Sequence, residues 1–352
     1  MSFSIVEQKP AAWNGRLGAF EASPFLTSTW IECFRSAKRV PLYLQLQQDG
    51  ETIGLCAGLI LEPPHPVLRR LYRTLYTYSG PILRRNDPGS VSAVIDGIIR
   101  YARDRGLSNL NFGFYDNPIM FRPTEIGFNA NINTEYIIDL RGTWDDVQRR
   151  MRRHIRSKIK RAQRSDLSFM LGGSESDVES LIRLLESTRS IRRSRGYHDY
   201  RYYYIPYFQR GTITKLLASG LGRLFILSHQ DRIVCAQLVV VHGARAYGLL
   251  CGTNQDGYRL GANAYIWFKA MSHLHGEGVQ WFNSGGLPSD DSREGLAFFK
   301  SSLGARAQQC GGGHTAHLGG RFLNLFTVAY ENLPGGALKH LLRNWITCRS
   351  GE

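Results

Sequence analysis

Between Trp144 and Ala162, apolar residues return at three- and four-residue steps: Trp144, Val147, Met151, Ile155, Ile159 and Ala162. That spacing lays one apolar stripe along a helix. The rest of the stretch is basic, with Arg149, Arg150, Arg152, Arg153, Arg156, Lys158, Lys160, Arg161 and Arg164, and no acid after Asp146. Thr143-Trp144-Asp145-Asp146 supplies the start signal: a threonine at the cap and an acid three residues on. A second helix, capped by Ser174 after Gly172-Gly173, carries Val178, Leu181, Leu184 and Leu185 and is expected to end near Thr188.

The flanking halves share one order of elements. In the first, a helix-like stretch from Thr27 to Lys38 precedes strand-like runs at Leu42 to Gln47 and Ile53 to Leu61, joined by the hairpin signal Gln48-Asp49-Gly50-Glu51. A β-rich run from Leu71 to Tyr78, a helix from Val91 to Arg103 and strands at Asn109 to Phe114 and Glu135 to Leu140 follow. In the second half, strands at Arg223 to Ser228 and Ile233 to His242 flank the turn Gln230-Asp231. Then come a strand at Ala244 to Gly252, a helix at Ala262 to His275, and a short strand at Gln280 to Asn283 leading into Ser284-Gly285-Gly286. Helices between strands argue for α/β and against an all-β sandwich, and the repetition argues for two units of one kind. The expected divisions are 1–142, a basic linking segment 143–190, a second domain 191–320 and a helical tail 321–352.

Length and charge sharpen this picture. The 352 residues suit two domains. The net charge of +15 predicts attraction to polyanions: tRNA, nucleotide diphosphates, acyl-CoA or an anionic membrane. The six cysteines are scattered, the start has no basic segment followed by an apolar run, and no apolar stretch is long enough to span a bilayer. A reduced, cytoplasmic protein is the expectation. The tail carries Phe322, Leu323, Leu325, Phe326, Leu338, Leu341, Leu342, Trp345 and Ile346 among basic residues. It suits packing on the second half, with peripheral contact to an anionic membrane as the other reading.

An apolar strand leading into a capped basic helix, a second helix, an Arg/Tyr-rich segment, a repeat of the first half and the phrase Phe299-Lys300-Ser301-Ser302-Leu303-Gly304 together resemble the Fem-like acyltransferases. They also resemble the related CelD/BcsL-like acetyltransferases. The resemblance spans roughly residues 20 to 310 and rests on the order of features, with Phe-Lys-x-x-Leu-Gly the sharpest motif. It implies two tandem acetyltransferase-type (GNAT-like) domains joined by a basic helix, and attack of an amine on an activated acyl group. The implied donor is aminoacyl-tRNA or, in other branches, acyl-CoA, with no tightly bound cofactor. The implied acceptor is an anionic small molecule or cell-wall precursor.

The resemblance assigns roles residue by residue. Lys300 is expected to stabilise charge at the donor ester, with Phe299 available to stack on a terminal base. Arg189, Arg192, Arg193 and Tyr203 are expected to hold the anionic acceptor, since arginine forks suit phosphates and carboxylates. Cell-wall ligases carry a lysine shortly after the tryptophan matched by Trp30; here Phe34 stands in its place, with Arg35 as the nearby substitute. That departure favours acyl-CoA and weakens the nucleotide acceptor. Arg152, Arg153, Arg156 and Lys160 are expected to track a nucleic-acid backbone, the plainer alternative being a solvated helix face. Gly257 to Asn263 is a loose match to a pyrophosphate-binding loop. Cys310, His314 and His317 are of metal-ligand types, but a fourth ligand is not evident and Gly311 to Gly313 read as mobile, so no metal is assigned. No nucleophile elbow, Walker loop or paired-carboxylate site stands out. A further alternative keeps fold and charge without catalysis, as a module binding polyanions or membrane.

Overall fold

The computed structural model describes residues 3–20, 22–63, 72–122, 127–197, 208–287, 292–315 and 318. The chain divides into two compact units, one of Met1–Asn133 together with the segment from Gln309, the other of Thr134–Gln308.

The first unit holds β1 (Phe3–Glu7), α1 (Pro10–Leu17), α2 (Ser28–Cys33), β2 (Arg39–Gln48), β3 (Glu51–Leu61), β4 (Thr74–Thr77), β5 (Ile82–Leu83), α3 (Pro88–Asp104) and β6 (Asn109–Phe112). It also holds the start of β7 (Phe128–Asp139) and the end of β13 (Arg306–Thr315). Strands β1, β2, β3 and β4 pair antiparallel in that order, and β4 then pairs parallel with β6. The turn between β2 and β3 places Asp49 (φ 50°) and Gly50 (φ 86°) in the left-handed region, the two-residue turn that matches strand twist. A parallel pair needs a crossover, and α3 provides it. Its Val91, Val94, Ile95, Ile98 and Ile99 pack with Leu110 and Phe112 in one core.

The second unit holds α4 (Trp144–Arg150), α5 (Arg153–Gln163), β8 (Ser168–Gly172), α6 (Glu175–Ser194), α7 (Arg210–Ala218), β9 (Gly222–His229), β10 (Arg232–His242) and β11 (Arg245–Thr253). It continues with α8 (Gln255–Leu260), α9 (Ala262–Gly276), β12 (Trp281–Gly286) and α10 (Arg293–Ser302). Strands β8, β9, β10 and β11 pair antiparallel, β11 pairs parallel with β12, and β12 pairs antiparallel with β7. Strand, two helices, three strands, helix and parallel strand recur in both units, so the α/β class and the tandem arrangement hold. Helix α9 buries Ile266, Ala270, Met271 and Leu274 against Val239 and Phe282.

Three local expectations are corrected. The helix expected from 143 to 164 is two helices. Met151 and Arg152 are extended (ψ 141° and 149°), and the backbone N–H of Arg152 donates to the Ser302 carbonyl at 2.9 Å. Even so, Val147, Met151, Ile155, Ile159 and Ala162 all enter the same core, because the break re-aims the second helix instead of rotating its apolar face away. Helix α6 runs six residues past Thr188, to Ser194, so Arg189, Arg192 and Arg193 stand on a helix and not in a charged loop. Gly311 to Gly313 belong to β13. A Cβ at Gly311 would lie 1.9 Å from the Ile119 carbonyl, and one at Gly313 would lie 2.4 Å from the Phe128 ring. These glycines admit close backbone approach within a sheet; they do not form a mobile loop.

Candidate active site

The parallel strand pair differs between the units in one respect. In the first unit, pairing continues beyond the last β4–β6 register: Gly113 N–H donates to the Thr77 carbonyl (2.8 Å) and Tyr115 N–H to the Tyr78 carbonyl (3.2 Å). The rings of Trp30, Phe34 and Tyr76 pack round Tyr78 and fill the space. In the second unit, the β11–β12 register stops at Tyr247↔Asn283. Beyond it β12 stays with β7, through Gly286↔Glu135, and leaves β11. The two strands therefore part over Gly248 to Thr253 on one side and Ser284 to Gly286 on the other.

Lys300 lies at this parting. It stands in the last turn of α10 and is 4% exposed. Its Nζ donates to the carbonyls of Gly285 (2.7 Å) and Gly286 (2.6 Å) and stands 5.8 Å from the centroid of the Tyr136 ring. Helix α10 and two backbone carbonyls thus fix the position of Lys300. Beneath it, Glu135 is 2% exposed and accepts from Asn283 Nδ2 at 2.7 Å. Asn283 Oδ1 accepts from Gly285 N–H (2.7 Å), and Ser284 Oγ donates to the Tyr136 carbonyl (2.8 Å). These bonds set the bend at Gly285, whose φ of 78° suits glycine.

Burial pushes the Lys300 ammonium down to about 7 from the ordinary 10.5, and the Glu135 carboxylate only partly offsets it. At neutral pH this amine therefore exchanges protons readily. As a neutral amine its two hydrogens can serve the two glycine carbonyls and its lone pair is left to accept a proton. As an ammonium its third hydrogen is left to donate.

The other candidates fall in several places. Phe299 faces the core, its ring 6.3 Å from that of Trp267 at 79°, so it is not presented as a platform for a base. The exposed aromatic is its neighbour Phe298 (54% exposed), stacked on His154 at 4.9 Å with the Arg152 guanidinium 5.4 Å away. Arg153, Arg156 and Lys160 line the outer face of α5, opposite its buried Ile155 and Ile159. Among the described residues none of the three has a carboxylate within salt-bridge distance. Arg149 and Arg150 are occupied, the first by Asp146 and the second by the carbonyls of Asp139 and Arg141.

Half-buried Arg192 donates to Ser292 Oγ (2.7 Å) and lies 5.0 Å from the Tyr197 ring. Arg189 pairs with Glu186 one turn back, and Arg193 is exposed. Arg35, in the first unit, makes a forked pair with Glu32, which also accepts from Tyr43 Oη at 2.8 Å. Tyr203, His317 and the tail lie outside the described residues. Helix α9 begins after Gly261 (φ 76°) without a side-chain cap. Burial pushes the Cys235 thiol well up, which removes it as a thiolate nucleophile.

Sequence reasoning missed Glu135, Asn283, Trp267 and Phe298. One signal was available: Glu135 is an acid at the head of the apolar run Tyr136-Ile137-Ile138, where a charge needs a partner.

Among the described residues no helix is long and apolar enough to cross a membrane. No curated protein matches the chain by sequence. Residues 149–301 match the acetyltransferase (GNAT) domain family. The crystal structure of FemX is similar to 88% of this chain and 96% of its own, at 12% identity and a TM-score of 0.67. A tandem GNAT protein from the clavulanic acid biosynthesis pathway covers 91% of this chain and 100% of its own, at 11% identity and a TM-score of 0.54. The C-terminal domain of a putative lysylphosphatidylglycerol synthetase from Agrobacterium fabrum covers 91% and 94%, at 14% identity and a TM-score of 0.52. Residues 149–301 thus match an acetyltransferase (GNAT) domain, and the likeness to these solved structures shows that the chain has the tandem GNAT-type fold.

Proposed function

We propose that the protein transfers an aminoacyl group from aminoacyl-tRNA to an amine of an anionic acceptor, a small molecule or cell-wall precursor, at the parting of β11 and β12. The observation that carries this reading is Lys300: a buried amine, held by two carbonyls, in the Phe299-Lys300 phrase of the Fem-like proteins. In the reaction the acceptor nitrogen attacks the ester carbonyl, the new C–N bond forms and the C–O bond to the ribose breaks. One proton leaves the amine and one must reach the ribose oxygen. Lys300 can take the first through its lone pair and return one through its free N–H, because its proton affinity lies close to neutrality. The ester is already activated, so positioning supplies much of the remaining acceleration. Arg153, Arg156 and Lys160, with Arg152 beside exposed Phe298, would hold the RNA backbone. Arg192 and Arg193, with Arg189 and Tyr203 near them in sequence, would hold the acceptor's anionic groups.

Acyl-CoA is the second reading. The GNAT match over 149–301, Phe34 in place of the ligases' lysine, and the uncapped start of α9, suited to a phosphate, favour it. Purified protein offered labelled aminoacyl-tRNAs, or labelled acetyl-CoA, with a panel of amine acceptors separates the two. The tRNA reading expects transfer that ribonuclease abolishes and that rising salt weakens steeply. Transfer that survives ribonuclease and requires the thioester would replace it with the second.

A further inference from the structure

Gln237, in the middle of β10, is 0% exposed, and neither Oε1 nor Nε2 has a hydrogen-bond partner among the described residues. Leaving both ends of a carboxamide buried and unpaired costs stability that a leucine of similar size would not cost. Native proteins rarely keep such a group without a use for it.

Its surroundings point to the use. Nε2 of Gln237 lies 3.3 Å from where a Cβ on Gly248 would be, and the ring of Trp267 lies 2.9 Å from the same point. Amide, bare glycine and indole therefore meet at one spot against α9. Gly248 is also the first residue of β11 past its last pair with β12. Its carbonyl oxygen is 3.8 Å from a Cβ placed on Gly285, and that Cβ is 3.8 Å from Lys300 Nζ. Trp267 in turn packs its ring against Phe282 of β12 and Phe299 of the Phe-Lys phrase. Gly248, a residue without a side chain, thus lies close both to the unpaired amide and to the strand parting beside Lys300.

We propose that Gln237 reads the transferred group, its carboxamide hydrogen-bonding an amine or amide carried on the donor's acyl portion. The inference rests on the acyl-transfer reading of the β11–β12 parting. A carboxamide offers one acceptor oxygen and two donor hydrogens. An aminoacyl group brings an amine that the oxygen can accept from. A hydrocarbon acyl group would cover the amide and leave it unpaired, and a site with a buried unpaired polar group rejects such a ligand. Gln237 would thereby select aminoacyl over simple acyl groups.

Alanyl and propionyl groups differ only in the amine, so they serve as the probe pair. Each is attached through a non-hydrolysable amide to the 3′ end of an RNA minihelix and, separately, as a thioester to CoA. Binding is measured by calorimetry to the wild type and to Gln237→Leu, with Gln237→Met as the second variant should leucine fail to fold. The wild type is expected to favour alanyl at least tenfold on the carrier it binds, and the variant's ratio to fall within twofold of one. Equal preference in both proteins, or no preference in the wild type, would overturn the inference alone. A wild type that binds neither carrier would overturn the transferase reading and this inference with it. The melting temperature of the ligand-free protein is an independent check: Gln237→Leu is expected to melt higher. A lower value would mean that the amide is already paired in the folded protein, by an internal water for example, and would overturn the inference without reference to any donor.

Discussion

Lys300→Met keeps the length of an apolar stem and removes the amine. Two buried acceptors, the carbonyls of Gly285 and Gly286, then lose donors at 2.7 and 2.6 Å. Each unpaired acceptor costs about 1–3 kcal/mol. The opposing gain is relief from burying a cation, and it depends on pH. Burial holds Lys300 at about 7 in the folded protein, against 10.5 in the open chain. Between these values the unfolded chain carries the proton and the folded one does not. Wild-type stability therefore rises with pH across that window, by about 1.4 kcal/mol per pH unit, and this gain is lost as pH falls through 7. Methionine has no such slope. The stability of wild type minus Lys300→Met should grow by about 2–3 kcal/mol from pH 7 to pH 9, read from urea denaturation in matched buffers. Turnover of the folded variant should fall by about 10²-fold or more, as for loss of one preorganised donor. Lys300→Arg should restore little, because a guanidinium stays charged and cannot relay a proton near neutrality. Parallel stability curves would refute the buried, depressed amine, and near wild-type turnover in a folded Lys300→Met would refute its place in the reaction.

Other outcomes follow from the same geometry. Glu135→Gln removes the charge that favours the ammonium but keeps an oxygen for Asn283, so the limb of the pH–rate profile that reports Lys300 should move to lower pH; an unmoved limb would separate the two groups. Replacing Arg153, Arg156 and Lys160 together by glutamine should leave the melting temperature within a degree or two, since all three are exposed, and should flatten the salt dependence of RNA binding by a slope of about 2–3 in filter-binding titrations. An unchanged slope would move the RNA contact away from α5. Ser174→Ala should cost about 1 kcal/mol of stability, because Ser174 caps α6 through Asp177 N–H; a neutral result in denaturant titrations would contradict that cap.

Much of the fold was legible where a pattern is local. The Asp49-Gly50 and Gln230-Asp231 turns, the α3 and α9 helices and the Thr143 and Ser174 caps all rest on residues close in sequence, and each stands where the sequence pattern put it. The break at Met151–Arg152 was not legible. No proline or glycine marks it, and its cause is a bond to Ser302, distant in sequence. The same holds for Gly311 to Gly313, which read as a loop by composition and instead lie in a strand where Ile119 and Phe128 leave no room for side chains at Gly311 and Gly313. In the site, the Phe299-Lys300 phrase falls on a buried amine held by two carbonyls, while Phe299 packs inward and is not presented for stacking. The i, i+1 step on a helix sends Phe299 into the core beside Trp267 and leaves Phe298 at the surface. Glu135 and Gln237 carry their meaning through burial and pairing, which spacing along the chain does not encode.

The most direct test of the central claim is where a donor places its acyl group. An RNA minihelix bearing a 4-benzoylphenylalanyl group through a stable 3′ amide can be photo-crosslinked to the protein and the adduct mapped by mass spectrometry. Adducts are expected on the facing edges of the strand parting, Gly248 to Thr253 and Ser284 to Gly286, and an excess of uncharged minihelix should suppress them. Adducts confined to the filled counterpart around Tyr78, or none above an irradiated control lacking the benzophenone, would contradict the claim.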